Sequence, residues 1–457
     1  MTYLGFNSVL IFMTLLVLTP IASATQPNIV VIMTDDQDDM GSIETMPNLQ
    51  KLAAQGIRFT NSYVNSPDCE PSRATFFTGE TSHHHGILGV SKYPVFEAME
   101  GNTIGVWMQT AGYMTGFFGK MVNGYGDVGN ARHVIPGWNE WAAFTEAYGI
   151  EYFNYRLNEN GTLVPYGSKD SDYSTDVLAR KAVNFIHENA QLSRPFFLVI
   201  APKGPHAALN TGSPIPAPRH VGVFANLPIP RSPNFNERDV TDKPKFIQAR
   251  RYLTTSKQLG RIVQTFRSRR ETLLSVDDLL KDVVSTLVNE KVLNKTIIIY
   301  TSDNGWSDRS HRLQGKKVVY EESIRVPLII RWPNGHAGEI RNNLVSNIDI
   351  IATIVDQGEA VPGLPLDGLS LAPLIANRNA PWRSSILVEG NYHDVKWSAV
   401  RAEFNVYAML NSPTYGQEEE LYTMITDPYQ LGNKALLPKF GDLRNRLRII
   451  LQSFLSN

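Results

Sequence analysis

Cysteine is nearly absent: Cys69 stands alone in a chain of 457 residues, so no internal disulfide staples the fold. Charge of one sign is missing too. Lys and Arg number 43 against 44 Asp and Glu, a net charge of −1. That offers no global field to draw in nucleic acid or an anionic membrane, so an anionic substrate must be held by a local cluster. Long hydrophobic runs are also lacking. The run Val9 to Leu18 falls short of the roughly 20 apolar residues that span a bilayer, and no later segment is apolar enough to do so. Pro20 and Ala22-Ser23-Ala24 follow that run, which matches an export signal ending in a small-x-small cleavage site, although no Lys or Arg precedes Lys51. A membrane anchor is the weaker alternative. The reading predicts a signal over residues 1–24, a mature chain from near Thr25, and a secreted, periplasmic or lysosomal-type protein without stable membrane insertion.

Apolar residues make up 42% of the chain, with 33 Gly and 27 Pro dispersed along it, which excludes a disordered or fibrous protein and permits a large core. Continuous apolar runs alternate with helical periods. Asn28 to Met33, Met114 to Phe118, Phe196 to Ile200 and Lys295 to Tyr300 read as buried strands. Helices are expected over Met46 to Gln55, Ser174 to Glu188 and about Lys245 to Glu290. This is a βαβ rhythm, and it predicts an α/β fold with a large, mainly parallel sheet sandwiched by helices. Gly358 to Leu369 reads as a connection. Beyond it, Ser385 to Gly390, Lys396 to Arg401 and Asn405 to Leu410 are short strand candidates, and Leu436 to Leu455 a helix.

The four buried strands end in polar groups: Asp35 and Asp36, Lys120, His206, then Asp303 and Asn304. Parallel strands deliver their carboxyl ends to one side of the sheet, where ligands bind in such folds. Asp35, Asp36, Asp303 and Asn304 are hard oxygen donors, suited to Ca2+ or Mg2+ rather than zinc, and such a cluster needs cations to offset its repulsion. For the Asp35/Asp36 pair alone, a helix cap or solvated loop is an equal reading. Cys69 lies among Pro67, Asp68, Glu70 and Pro71, which places it at a loop or helix start rather than in a core strand.

The stretch Cys69-Glu70-Pro71-Ser72-Arg73, followed by Thr78-Gly79, resembles the signature of the type I, formylglycine-dependent sulfatases of the alkaline-phosphatase-like superfamily. The similarity extends over most of the chain. It includes Asn28 to Gln37, Pro136-Gly137-Trp138, Ser302 to Asn304, Lys316 through Tyr320-Glu321-Glu322, and Arg325-Val326-Pro327-Leu328. Gly119 to Tyr125 and Thr272 to Asp278 look most like the N-acetylglucosamine-6-sulfatase branch. The resemblance implies a catalytic domain over 25–365 and a smaller C-terminal subdomain over 366–457 with an antiparallel sheet. It also implies that a maturation enzyme oxidises Cys69 to Cα-formylglycine, whose hydrate attacks sulfur and then expels sulfate.

The resemblance further assigns one Ca2+ ion, ahead of Mg2+, to Asp35, Asp36, residue 69, Asp303 and Asn304. Arg73 would orient residue 69, and Lys120, His206 and Lys316 would contact the sulfate and leaving oxygens, with His206 as general acid. One departure stands out. Many sulfatases carry a histidine two residues after the first lysine, where this chain has Val122 and then Asn123. Asn123 and His311, five residues before Lys316, are the candidates to share that histidine's part in sulfate release, and the base for this step stays open.

A sulfuric ester hydrolase acting on a sulfated carbohydrate, in sulfated-glycan or glycosaminoglycan degradation, is therefore expected. The alternatives are an arylsulfatase, a formylglycine-dependent phosphonate or phosphodiester hydrolase, and, outside enzymes, a catalytically silent glycan-binding protein. His83-His84-His85 reads as packing near the site rather than a metal tract. The basic stretch Arg250-Arg251, Lys257, Arg261, Arg267 and Arg269-Arg270 reads as a solvated helix face, with polyanion docking as the sharper reading. Asn160 and Asn294 begin glycosylation sequons, usable in a host with that machinery.

Overall fold

The computed structural model describes residues 26–89, 92–127 and 129–456, so the predicted export signal lies outside the described residues. Twelve strands come first: β1 Asn28–Thr34, β2 Ile57–Tyr63, β3 Met114–Gly119, β4 Glu140–Phe144, β5 Tyr155–Glu159, β6 Thr162–Tyr166, β7 Phe196–Ala201, β8 Thr296–Ser302, β9 Ser307–Asp308, β10 Gln314–Gly315, β11 Leu328–Arg331 and β12 Glu339–Ser346. β13 Ser385–Tyr392, β14 Val395–Ala402, β15 Asn405–Ser412 and β16 Gly416–Thr423 follow. Ten of them form one mixed sheet in the order β12-β2-β11-β8-β1-β7-β3-β4-β5-β6.

The middle of that sheet, β8-β1-β7-β3-β4, is parallel. Every residue of β1, β7 and β8 is buried, because helices cover both faces. Alternation along β1 assigns the layers. Ile29, Val31 and Met33 pack with Phe76, Trp107 and Ile351 on one face, while Val30 and Ile32 pack with Leu49, Leu178 and Leu273 on the other. The parallel register carries Thr34 beside Ser302, Ile32 beside Ile200 and Gly119 beside Ala201, so the polar segments after β1, β3, β7 and β8 emerge on one edge.

The helix expected from about Lys245 is interrupted. Helical residues run Lys245–Gln248 and then Ser256–Asn289, where Thr255 caps the second helix by accepting from the Gln258 amide at 3.3 Å. Between the two, Arg309 and Arg312 donate to the carbonyls of Arg251 and Arg250, occupying acceptors that a continuous helix would use itself.

β13 to β16 form a separate antiparallel sheet. One face packs against Tyr320 and Ile324, the other against Leu447 and Leu451 of the helix Gly441–Ser456. Strand β16 escapes a sequence reading because it carries Glu418-Glu419-Glu420. Glu420 turns inward and accepts from the hydroxyls of Tyr320 at 2.8 Å and Tyr422 at 2.6 Å.

Candidate active site

Cys69 is the first residue of the helix Cys69–Thr78, whose ten residues are all buried. Asp68 caps it, accepting the Cys69 amide at 3.0 Å, and Gly79 ends it at a φ of 74°. The helix thus presents residue 69 with its positive end. Cys69 Sγ lies 3.5 Å from Asp35 Oδ1 and 2.5 Å from Lys316 Nζ. Burial pushes the thiol up to about 12 against the lowering pull of Lys120 and Lys316, so it stays protonated at neutral pH, a poor nucleophile and a poor metal ligand.

The segments after the parallel strands close around it. Asp35 and Asp36 follow β1, and the Asp36 amide donates to Asp303 Oδ1 at 3.1 Å, tying the loops after β1 and β8 together. Asp36 has a φ of 71°, an uncommon conformation for a residue with a side chain. Lys120 follows Gly119, where a Cβ would sit 2.0 Å from the Ala201 carbonyl oxygen. Only glycine lets the Lys120 amide bond that oxygen at 2.7 Å. Lys120 Nζ then reaches Asp35 Oδ2 at 2.6 Å. Arg73 is fully buried and donates to Asp303 Oδ2 at 2.9 Å and to the Lys120 carbonyl at 2.6 Å. Lys316 Nζ lies 2.5 Å from Asp36 Oδ1 and 3.3 Å from Asn304 Oδ1.

Burial alone would raise Asp35, yet Lys120, His206, Arg73 and Lys316 hold it well below the ordinary carboxylate value. Asp36 is also lowered, with Lys316 overcoming its burial. Asp303 goes the other way: burial raises it to about 6 in spite of Arg73. His206 Nε2 stands 3.8 Å from Asp36 Oδ2, and Nδ1 bonds the Ala207 carbonyl at 2.8 Å. Burial lowers its imidazole below 6.5, opposed by Asp35 and Asp36.

Ligand atoms of Asp35, Asp36, Cys69 and His206 all lie within 4.8 Å of one another. Asp36 Oδ2 is buried and has no hydrogen-bond partner, an orphan acceptor that a cation would satisfy. The carboxylates of Asp35 and Asp36 give this group hard oxygen donors that fit a hard cation, while Asp303 bonds the Asp36 amide and Arg73, and Asn304 turns its Nδ2 to Asp36 Oδ1 at 2.7 Å.

One expected residue, His311, stands apart. His311 is fully buried, with Nδ1 bonded to Glu237 at 2.6 Å and Nε2 to Asn234 at 3.4 Å, its ring 4.1 Å from that of Tyr320. It makes no hydrogen bond to the cluster. Asn123 follows β3 with its buried Oδ1 unpartnered. The three histidines take separate partners, His83 Glu389, His84 Asp367 and His85 Thr75, and His85 thereby packs behind the Cys69 helix.

Arg269 and Arg270 depart most from the sequence reading. Neither is solvated, at 1% and 2% exposure. Arg269 donates to the carbonyls of Asp36 and Pro205, and Arg270 Nη2 reaches Asp38 Oδ1 at 3.3 Å. A signal for this was present: positions 266, 269, 270, 273, 276 and 280 share the buried stripe of the Ser256–Asn289 helix.

The sulfatase family model matches residues 27–360, and the C-terminal model of N-sulphoglucosamine sulphohydrolase matches 309–456. The chain belongs to the sulfatase family. This sulfatase is 36% identical to human N-acetylglucosamine-6-sulfatase over 383 residues, covering 80% of this chain and 68% of that protein. It is 30% identical to the extracellular sulfatase SULF-1 homolog of Drosophila melanogaster, covering 81% of this chain and 33% of that longer protein. Its fold matches that of BT4656 solved with its substrate D-glucosamine-2-N,6-O-disulfate, at a TM-score of 0.76 and 23% identity, over 94% of this chain and 98% of that one. The sulfatase is accordingly a sulfuric ester hydrolase. Among the described residues no helix is long and apolar enough to cross a membrane.

Proposed function

We propose that this sulfatase, exported by its N-terminal signal, releases inorganic sulfate from a sulfated carbohydrate of the N-acetylglucosamine 6-sulfate type. The observation that carries the chemistry is the gathering of Lys316, on Cys69 itself, with Lys120 and His206, on the neighbouring Asp35 and Asp36, around residue 69 at the start of a buried helix. The sugar rests on the likeness to N-acetylglucosamine-6-sulfatase.

Residue 69 acts in its oxidised form, Cα-formylglycine, made by a maturation enzyme that reads the Cys-x-Pro-x-Arg stretch. The high value of the bare thiol supports this, since an unmodified Cys69 would not be ionised. The oxidised residue supplies a geminal hydroxyl pair, a nucleophile with its own route to sulfate release. Asp35, Asp36, Asp303 and Asn304 would hold one Ca2+, which supplies the positive charge that eases ionisation of a hydroxyl at residue 69. Arg73 orients residue 69 and offsets Asp303 and Asp35. Lys120 and Lys316 stabilise charge developing on the sulfate oxygens. His206 anchors Nδ1 on the Ala207 carbonyl and, when protonated, gives the Nε2 proton to the leaving alcohol oxygen.

Hydrolysis of N-acetylglucosamine 6-sulfate, 4-nitrophenyl sulfate and bis(4-nitrophenyl) phosphate, followed as released sulfate for the first and as 4-nitrophenol for the other two, tests the reading. Highest kcat/KM on the sulfated sugar supports it. Aryl sulfate turnover without sugar turnover overturns the substrate, and phosphodiester cleavage faster than either sulfate ester overturns the chemistry.

A further inference from the structure

A cavity of about 460 Å3 opens beside the loops after β1 and β8, lined by Asp38, Phe266, Arg270, Trp306, Glu322 and Tyr429 among others, and by none of Cys69, Lys120, His206 or Lys316. Its size is that of a small-molecule pocket. Its polar wall is unfinished. Arg270, 2% exposed, leaves Nε and Nη1 without hydrogen-bond partners, and Asp38, 1% exposed, leaves Oδ2 without one. Glu322 spends Oε1 on Asn234 at 2.8 Å, while its Oε2 is unpartnered, as is Nε of Arg325 on the same wall. Unmet groups of this number in one cavity point to a ligand that completes them.

The mixture of groups selects the ligand. An anion would bond the guanidinium groups but face the carboxylate oxygens of Asp38 and Glu322; a cation would face Arg270 and Arg325. Adjacent hydroxyls on a neutral ring satisfy both, since each donates to a carboxylate while accepting from a guanidinium. The apolar wall suits the other side of such a ring, with Trp306 and Tyr429 offering aromatic surface to its C–H face. We propose that this cavity is a second carbohydrate-binding site, taking one uncharged pyranose ring and separate from the residues that act on sulfate. The proposal does not depend on which sulfated sugar is hydrolysed.

Saturation-transfer NMR and titration of the full exported chain with D-glucose and N-acetyl-D-glucosamine test it. The expected result is transfer to the ring C–H protons that persists in saturating inorganic sulfate, with affinity at least about tenfold weaker in Glu322→Gln and in Tyr429→Ala. Tyr429 is 42% exposed, so Tyr429→Ala is expected to fold and to keep its 4-nitrophenyl sulfate turnover, and Tyr429→Phe to keep sugar binding. No saturation transfer from either sugar overturns the proposal. Transfer that sulfate abolishes and that both pocket variants leave unchanged also overturns it, by placing the sugar at the catalytic cluster.

Discussion

Lys316 Nζ stands 2.5 Å from Cys69 Sγ and 2.5 Å from Asp36 Oδ1, joining the residue proposed to be oxidised to the carboxylate proposed to hold the metal. Its removal takes away charge where the sulfate oxygens would lie. Lys316→Met is therefore expected to lower kcat for 4-nitrophenyl sulfate by about 10² to 10³, or roughly 3 to 4 kcal/mol. Lys316→Arg should fail to restore it, because a planar fork does not replace a compact ammonium between two close partners. A kcat within about threefold of wild type in Lys316→Met would remove Lys316 from the chemistry.

Arg269 touches no reacting group in the proposed scheme, yet it donates to the carbonyls of Asp36 and Pro205, joining the segments that carry Asp36 and His206. Positioning groups of this kind typically govern metal affinity by 10- to 100-fold. Arg269→Met is expected to need about that much more Ca2+ for the same rise in Tm during thermal unfolding, a readout independent of turnover. An unchanged Ca2+ dependence would leave Arg269 a packing residue.

As the proposed general acid, His206 gives the rate an alkaline limb and a leaving-group signature. Burial lowers its imidazole below 6.5, so the protonated, proton-donating form is lost as pH rises through that lowered value. The kcat/KM for sugar sulfate should fall with rising pH across this range. His206→Asn should slow sugar sulfate far more than 4-nitrophenyl sulfate, whose phenolate leaves without a proton. Equal loss on the two substrates would assign His206 to binding instead.

Stability carries its own pH signature. Burial raises Asp39 from 3.8 to about 6 despite Arg58. The unfolded chain loses this proton first, so between about pH 4 and about pH 6 stability falls as pH rises, by about 3 kcal/mol in total. Asp35 has the opposite sign: its lowered value contributes stability above 3.8 that is lost as pH falls through the folded value. Urea unfolding of Asp39→Asn should show the decline between about pH 4 and about pH 6 shrink by about 3 kcal/mol. A slope matching wild type would contradict the assignment.

Strands β1, β7 and β8 were legible because each is a continuous apolar run covered on both faces, and their polar ends named Asp35, Asp36, His206, Asp303 and Asn304 in advance. Parallel pairing then placed those ends on one edge. The gaps have physical reasons as well. Strand β16 hides behind three consecutive glutamates that satisfy themselves differently once paired. The break at 249–255 is set by Arg309 and Arg312, distant residues that claim its carbonyls. Arg269 and Arg270 read as solvent-facing from charge alone, whereas helical phase puts them inside. His311 sits five residues before Lys316 yet points into the network of Glu237 and Asn234, an orientation that spacing does not encode.

The most direct test of the account is the mass of the proteolytic peptide carrying residue 69, from protein exported by its native host and handled without alkylating reagent. Formylglycine at residue 69 is expected in the active fraction, and none in a preparation without activity. A wholly unmodified thiol in protein that still releases sulfate would contradict it.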